Sequence, residues 1–410
     1  MYDAIIVGAR CAGSSTARLV ARRGFKVLLV DRATFPSDTI STHILWPHGA
    51  EVLARWGVLE ILAATGLPPI CQRMAFDVGP FALRGSIPDA NDGKGGFCPR
   101  RTVLDSLLVH AAAESGVEVR ESFTVDELLV TGDTVVGVRG HDKGGMAVEE
   151  RARVVIGADG VNSFVARRMR APQYEVQPVA ACCYYSYFAG VAQDDIELYV
   201  RDHCAFGGAP TNDGLHLVMV NWPTGKFAEV RADVEGHVWR ALEKSPNFLA
   251  RVREGHREEK WYGTAGVPGY LRKPYGRGWA LVGDASYNRD PITAQGISDA
   301  FIDAEMLAEA VCAWLSGIAT FDELMNAHEA ARNERVRPMY EFTTQLAMLE
   351  PPPPEMQALF AALHGNQDAT NAFLSAITGA IPLPEFMSDE NLGRILGAAK
   401  PVDAPVVNQL

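Results

Sequence analysis

The chain has no CxxC pair, and its seven cysteines (Cys11, Cys71, Cys98, Cys182, Cys183, Cys204 and Cys312) are odd in number. Neither a disulfide framework nor a zinc site is indicated, and reduced, cytosolic thiols are expected. No run approaches the roughly 18 apolar residues of a membrane helix. Basic clusters are missing too. With 38 Lys and Arg against 50 Asp and Glu, the net charge is −12, which argues against nucleic acid or an anionic membrane surface as the main partner. No internal repeat is visible, and no Ser/His/Asp or Cys/His arrangement stands out. The apolar start, Tyr2 to Val7, leaves no room for a signal peptide, so a cytoplasmic location is expected. What remains is a globular composition, 48% hydrophobic and 21% charged, with length for two or three domains.

The first pattern present is Ala4-Ile5-Ile6-Val7 running into Gly8-Ala9-Arg10-Cys11-Ala12-Gly13. A helix follows to Arg23, and a second strand, Lys26 to Val30, ends at Asp31. This is a βαβ unit of about 30 residues with a dinucleotide fingerprint. Glycines there permit a tight turn, approach to pyrophosphate and close helix packing, and the acid bonds a ribose. Arg10 replaces the second glycine. Two roles stay open for it: a side chain turned outward, or a charge that helps hold phosphate.

Two further helix-edge motifs come next. Arg101 stands just before an amphipathic helix, Thr102 to Ser115, where it can meet phosphate or a ribityl chain. Asp159-Gly160-Val161-Asn162-Ser163 follows an apolar strand. It is expected to bond Arg101 or to shape a nicotinamide path.

Late in the chain, Trp279 to Val282 reads as a strand leading to Gly283-Asp284-Ala285, then Asp290-Pro291, Gln295-Gly296 and Asp299-Ala300. Asp284 can accept bonds from sugar-like hydroxyls. A helix opening after Gly296 aims its positive end at a planar electron acceptor. Flavin adenine dinucleotide (FAD) matches both demands, with its flavin end here. Between the nucleotide motifs, Cys182 to Val191, Glu197 to Arg201 and Leu215 to Trp222 read as an antiparallel sheet. Helical patterns cover Glu229 to Leu242, Phe321 to Met339 and most of the chain after Pro354.

These motifs, in this order over about 1–345, resemble the FAD-dependent monooxygenases of the para-hydroxybenzoate hydroxylase fold. Geranylgeranyl-reductase-like enzymes and flavin-dependent halogenases share that superfamily. Departures are Tyr287 for a frequent histidine, Ala294 for a usual glycine and Ser298 for a frequent asparagine. The resemblance implies an α/β fold. A Rossmann-like FAD domain (1–175 and 271–345) is expected to be interrupted by an antiparallel-sheet substrate domain (176–270). Beyond the resemblance, a C-terminal helical segment (346–410) is expected, with capping of the pocket and a dimer face both open as roles for its helices. The resemblance also implies non-covalent FAD held by Gly8, Ala9, Arg10, Ala12, Gly13, Asp31, Arg32, Arg101, Val125, Asp159, Gly160, Gly283, Asp284, Pro291, Ala294, Gly296 and Ile297. His43 and Pro291 are the catalytic candidates. Tyr185, Tyr187 and Trp222 are the pocket candidates.

The leading expectation is a monooxygenase using NAD(P)H, or a separate flavin reductase, and O2. It would hydroxylate or epoxidise a hydrophobic or aromatic small molecule through a C4a-hydroperoxyflavin. The alternative is a reductase of carbon–carbon double bonds. A halogenase ranks lower, because the family's Trp-x-Trp-x-Ile-Pro motif is absent and the few residues after Phe35-Pro36-Ser37-Asp38 hold no lysine. A non-catalytic flavoprotein ranks lower still.

Overall fold

The computed structural model describes residues 1–87 and 95–398. Its central sheet runs in the order Tyr275–Gly276, Trp279–Leu281, Ala147–Gly157, Tyr2–Val7, Val27–Val30, Glu118–Arg120. All neighbours are parallel except the first pair. Such short strands of Val, Ile, Leu and Ala suit a sheet buried on both sides. Ala4, Ile6, Val27 and Leu29 face the helices Cys11–Ala21, Arg101–Glu114 and Gly296–Leu315. Ile5, Val7, Leu28 and Val30 face the meander Thr124–Thr131 and Thr134–His141.

A second sheet runs His256–Arg257, Ala181–Ala189, Leu215–Pro223, Cys204–Pro210, Glu197–Arg201, Met74–Asp77, Ala82–Gly85. Two features differ from the sequence expectation. The Met74–Gly85 hairpin belongs to this sheet, although it lies within 1–175. It docks by a parallel pairing of Met74–Asp77 with Glu197–Arg201, so the sheet is antiparallel with one parallel pair. That pairing joins segments about 120 residues apart, which no local pattern encodes.

Both faces of the second sheet are covered. Tyr184, Phe188, Val218 and Val220 meet the helices Phe227–Ala232, Val234–Leu242 and Pro246–Glu254. The expected single helix from Glu229 breaks at Asp233, whose side chain caps the second piece by accepting from Gly236 N–H. Tyr185, Tyr187, Leu217 and Met219 face the C-terminal helices Pro354–Leu363, Gln367–Ile377 and Leu383–Phe386. The long helix Phe321–Ala347 continues past Pro338 and joins these helices to the rest.

Phe373 is 1% exposed and sits edge-on to Phe76 and Phe360, with ring centroids 5.7 and 5.9 Å away. Phe373→Ala is expected to cost about 3–5 kcal/mol, read as a lowered urea midpoint. An unchanged midpoint would show that the C-terminal helices are not part of the core.

Candidate active site

The front turn closes because two positions carry no side chain. Gly8 has φ +104°, and a Cβ there would lie 2.5 Å from the Ala158 carbonyl oxygen. A Cβ on Gly13 would lie 1.7 Å from the Gly8 carbonyl oxygen. Helix Cys11–Ala21 therefore starts hard against the strand end, its N-terminal N–H groups facing the cleft. Asp31 holds the turn, accepting from Ala9 N–H at 2.7 Å and Ala33 N–H at 2.8 Å. Each oxygen keeps a lone pair for a ribose hydroxyl. Arg32 is exposed and Val125 is half-buried beside this end of the sheet.

Arg10 is turned outward. Its Nη1 lies 2.5 Å from Asp105 Oδ2, and its guanidinium also donates to the Ser37 and Asp38 carbonyls and to Ser37 Oγ, each at 3.1 Å. Of the two roles left open above, the charge is thus spent on protein. Arg101 shares the same carboxylate, Nη2 to Asp105 Oδ1 at 2.9 Å. Of the two expectations for Asp159, a bond to Arg101 is not made. It caps the short helix Phe164–Arg168, accepting from Phe164 N–H at 2.6 Å and Val165 N–H at 3.3 Å. Gly160 beside it has φ +77°.

In the late motif, Gly283 (φ +61°) donates its N–H to Asp303 Oδ2 at 2.8 Å. Asp284 is open to the cleft, and no donor among the described residues reaches its carboxylate. Protein surrounds it on its other sides, and this burial pushes its pKa up to about 6 while Arg101 and Arg289 pull it back. Asp290 caps the turn Pro291–Thr293 through Ile292 N–H. Ala294 follows at φ +54°, a left-handed conformation that costs a residue with a Cβ roughly 1 kcal/mol. Its methyl is buried in the apolar cluster of the second sheet. Gly296 opens the helix Gly296–Leu315, and a Cβ there would meet nothing within 4 Å. Ile297 is buried behind it.

Two departures from the family pattern have local reasons. Ser298 Oγ accepts from Trp46 N–H at 3.0 Å. Tyr287 packs with Leu271, Val336 and Tyr340 as core.

These residues fit FAD. The glycine turn and helix end suit its diphosphate, Asp31 a ribose, the unpartnered Asp284 carboxylate its ribityl hydroxyls, and the open Gly296 helix end its ring. When bound, FAD supplies two-electron redox chemistry.

Beside the late loop lies a narrow apolar cavity of about 60 Å³. Ile44, Trp46, Met74, Phe76, Met219, Phe342, Leu346 and Ile377 form its walls, with Ile292, Thr293 and Ala294 along one side. Among the described residues, no charged side chain lines it. The lining residues from the hairpin and from Phe342 onward escaped sequence reasoning, since they carry no motif. Trp222 is not part of this face. It packs on the opposite side of the sheet with Val230 and Val238, because it shares the parity of Val218 and Val220 on its strand.

Tyr185, Tyr187 and His43 share the cavity face. The Tyr187 hydroxyl is 2.7 Å from His43 Nε2. Burial, with Arg101 nearby, pushes the His43 pKa down to about 3, so the imidazole is neutral. Burial also raises both tyrosine pKa values. Pro291 is half-buried, next in the chain to the cavity-lining Ile292.

Comparison with known proteins places these features. The family described as "FAD binding domain" matches residues 1–343. The digeranylgeranylglycerophospholipid reductase of Methanosarcina acetivorans is 28% identical over 346 residues, 80% of each chain. Digeranylgeranylglycerophospholipid reductase 2 of Methanothermobacter thermautotrophicus is 32% identical over 331 residues, 76% of this chain and 78% of that one. Among solved structures, a flavoprotein/dehydrogenase from Cytophaga hutchinsonii superposes with a TM-score of 0.80 at 20% identity, covering 97% of this chain and 98% of the other.

Asp284→Ala is expected to weaken FAD binding about 10- to 100-fold, the worth of one or two charge-assisted hydrogen bonds. Gly296→Val adds a side chain only where the ligand would lie. It should leave the apoprotein folded but unable to retain FAD, and wild-type FAD affinity in that variant would place the flavin elsewhere.

Proposed function

Since the chain belongs to the FAD-binding-domain family and is an FAD-dependent oxidoreductase, we propose that it reduces carbon–carbon double bonds in an apolar, isoprenoid-like substrate. The observation that carries this reading is the cavity against the Ile292–Ala294 loop. Its walls are aliphatic and aromatic, and its polar lining groups are Asn221, Tyr199 and Thr293. Thr293 Oγ1 is already paired with Thr343 Oγ1 at 2.8 Å, and the Tyr199 hydroxyl with Glu197 at 2.5 Å. Hydroxylation of a phenol calls for a base to draw a proton from the ring hydroxyl, and no such group lines this space. A chain of isoprene units needs only shape and an apolar wall, which burial rewards at roughly 25 cal/mol per Å².

The relatives' names support the same choice. Oxygen insertion, the leading expectation from the sequence, therefore ranks behind its alternative. In this reading electrons reach FAD from a reduced nicotinamide or from a separate flavin reductase. Asp284 and the helix end at Gly296 orient the flavin, Trp46 and Ala294 exclude water around the substrate, and the C-terminal helices wall the cavity.

The test uses FAD-loaded protein reduced with dithionite under anaerobic conditions, then mixed with geranylgeraniol. The expected result is reoxidation of the flavin without oxygen, with product carrying an added pair of hydrogens. A product that forms only with oxygen and gains an oxygen atom would overturn the reductase reading in favour of a monooxygenase.

A further inference from the structure

The apolar cavity measures about 60 Å³. At roughly 10–15 Å³ for each water-sized group, it admits about one isoprene unit. The rest of a longer substrate must lie outside it. Met74 lines the cavity and also lines a separate groove of about 630 Å³. Three segments run from one space to the other. Arg73 lines the groove directly before Met74, and Asp195 and Glu197 line it on either side of the cavity residue Ile196. Helix Gln367–Ile377 brings Asn371 to the groove and Ile377 to the cavity. Along its axis those two are about 9 Å apart at about 1.5 Å per residue. Carbon–carbon bonds of about 1.5 Å cover that span with roughly two isoprene units. Met74 is 1% exposed, and its unbranched side chain repacks at low cost.

The groove differs from the cavity in chemistry. Its buried carboxylates are already engaged. Asp195 accepts from the Gln72 and Arg73 N–H groups, each at 3.0 Å, and Glu197 accepts from Arg251 Nη1 at 3.1 Å. The Arg73 side chain reaches Asp194 at 3.3 Å and Asp195 at 3.2 Å. Among the described residues, Arg73, Arg84 and Arg251 share the groove with Asp194, Asp195 and Glu197. The two signs balance, so an anion gains no net attraction there. Gln72, Arg84 and Gln367 are exposed, and Ser86 and Asn371 are half-buried. Their side chains offer donors and acceptors together, which suits hydroxyl groups.

We propose that the groove holds an uncharged, hydroxyl-rich end of the substrate while its isoprenoid end passes Met74 into the cavity. The substrate is then an amphiphile, a prenyl chain joined to a sugar-like or polyol body. This rests on the reductase reading above for the fate of the double bond. The groove selects the body and the cavity takes the bond to be reduced. Joining the two ends in one molecule makes the second contact intramolecular, so the whole binds more tightly than either part.

The experiment uses FAD-loaded protein and three ligands with one tail: geraniol, geranyl glucoside and geranyl diphosphate. Affinity for the oxidised protein is read by calorimetry. Geranyl glucoside should bind about 10-fold or more tightly than geraniol, the worth of one or two neutral hydrogen bonds. Geranyl diphosphate should bind no more tightly than geraniol. Gln72→Ala combined with Arg84→Ala changes two exposed side chains and should bring the glucoside down to the affinity of geraniol, with FAD affinity unchanged. Met74→Trp closes the junction and should cost the glucoside about 10-fold or more. Equal wild-type affinity for glucoside and geraniol overturns the proposal, as does a preference for the diphosphate or an undiminished glucoside affinity in the Gln72 and Arg84 variant. Dithionite-reduced protein is then mixed with geranyl glucoside without oxygen. Reoxidation supports the groove and the reductase reading together, whereas tight binding without reoxidation overturns the reductase reading alone.

Discussion

The loop from Arg289 to Ser298 is bonded to the second sheet, the front segment, the long helix and the C-terminal helices, and the site exists because it is. Asp290 accepts from Ala181 N–H in the second sheet at 3.2 Å. The Thr293 carbonyl accepts from Trp46 in the front segment, and its hydroxyl pairs with Thr343 in the long helix. Gln295 Nε2 donates to the Ile377 carbonyl in the C-terminal helices at 3.0 Å. Each bond is worth only about 1 kcal/mol. Together they bind one short loop to four segments distant in sequence. That over-determination holds Ala294 in a left-handed conformation and sets the cavity wall against the helix end at Gly296.

Charge is arranged locally against the sign of the whole chain. Asp105 lies between Arg10 and Arg101, and Asp299 between Arg289 and Arg335. Each cluster has one carboxylate and two guanidinium groups, so each leaves positive charge. The first sits beside the glycine turn and the second in the first turn of the helix behind the flavin loop. Burying such groups costs solvation that pairing only partly repays. Burial accordingly lowers the pKa of Arg289 to about 10, which still leaves it charged. A chain of net charge −12 thereby offers a reduced flavin beside the late loop positively biased ground.

Much of the candidate site's backbone geometry was legible in the sequence because its constraints are local. Gly8, Gly13 and Gly283 are required by close approach or positive φ, and Asp31 and Asp284 stand at strand ends where backbone geometry aims them. The substrate side was harder to read. Alternation separates the faces of Tyr184 and Tyr185, but on Leu215–Pro223 both parities are apolar since the sheet is covered on both sides. Nothing in that strand says which face Trp222 takes. The strand Cys204–Pro210 is rich in glycine and alanine and carries little strand signal. The Met74–Gly85 hairpin and the Phe342, Leu346 and Ile377 walls are brought in by tertiary pairing alone. Asp159 shows a related difficulty: a helix cap and a ligand contact call for the same residue in the same place, and only the structure shows which N–H groups it meets.

The cavity's chemistry limits how it can choose a substrate. An apolar pocket discriminates by roughly 1–3 kcal/mol per methylene, whereas a buried hydrogen-bonding site rejects a mismatched partner far more strongly. With its hydroxyls already paired and no charge on its walls, this cavity belongs to the first kind. Selection therefore falls to width and to what abuts the flavin loop. There the Ala294 methyl, kept at the expense of backbone strain, narrows the space that a glycine would leave open. Reactivity is set apart from selection, in the cofactor. On the reading proposed above, an enzyme built this way tolerates variation along an apolar chain and is strict only about which bond reaches the loop.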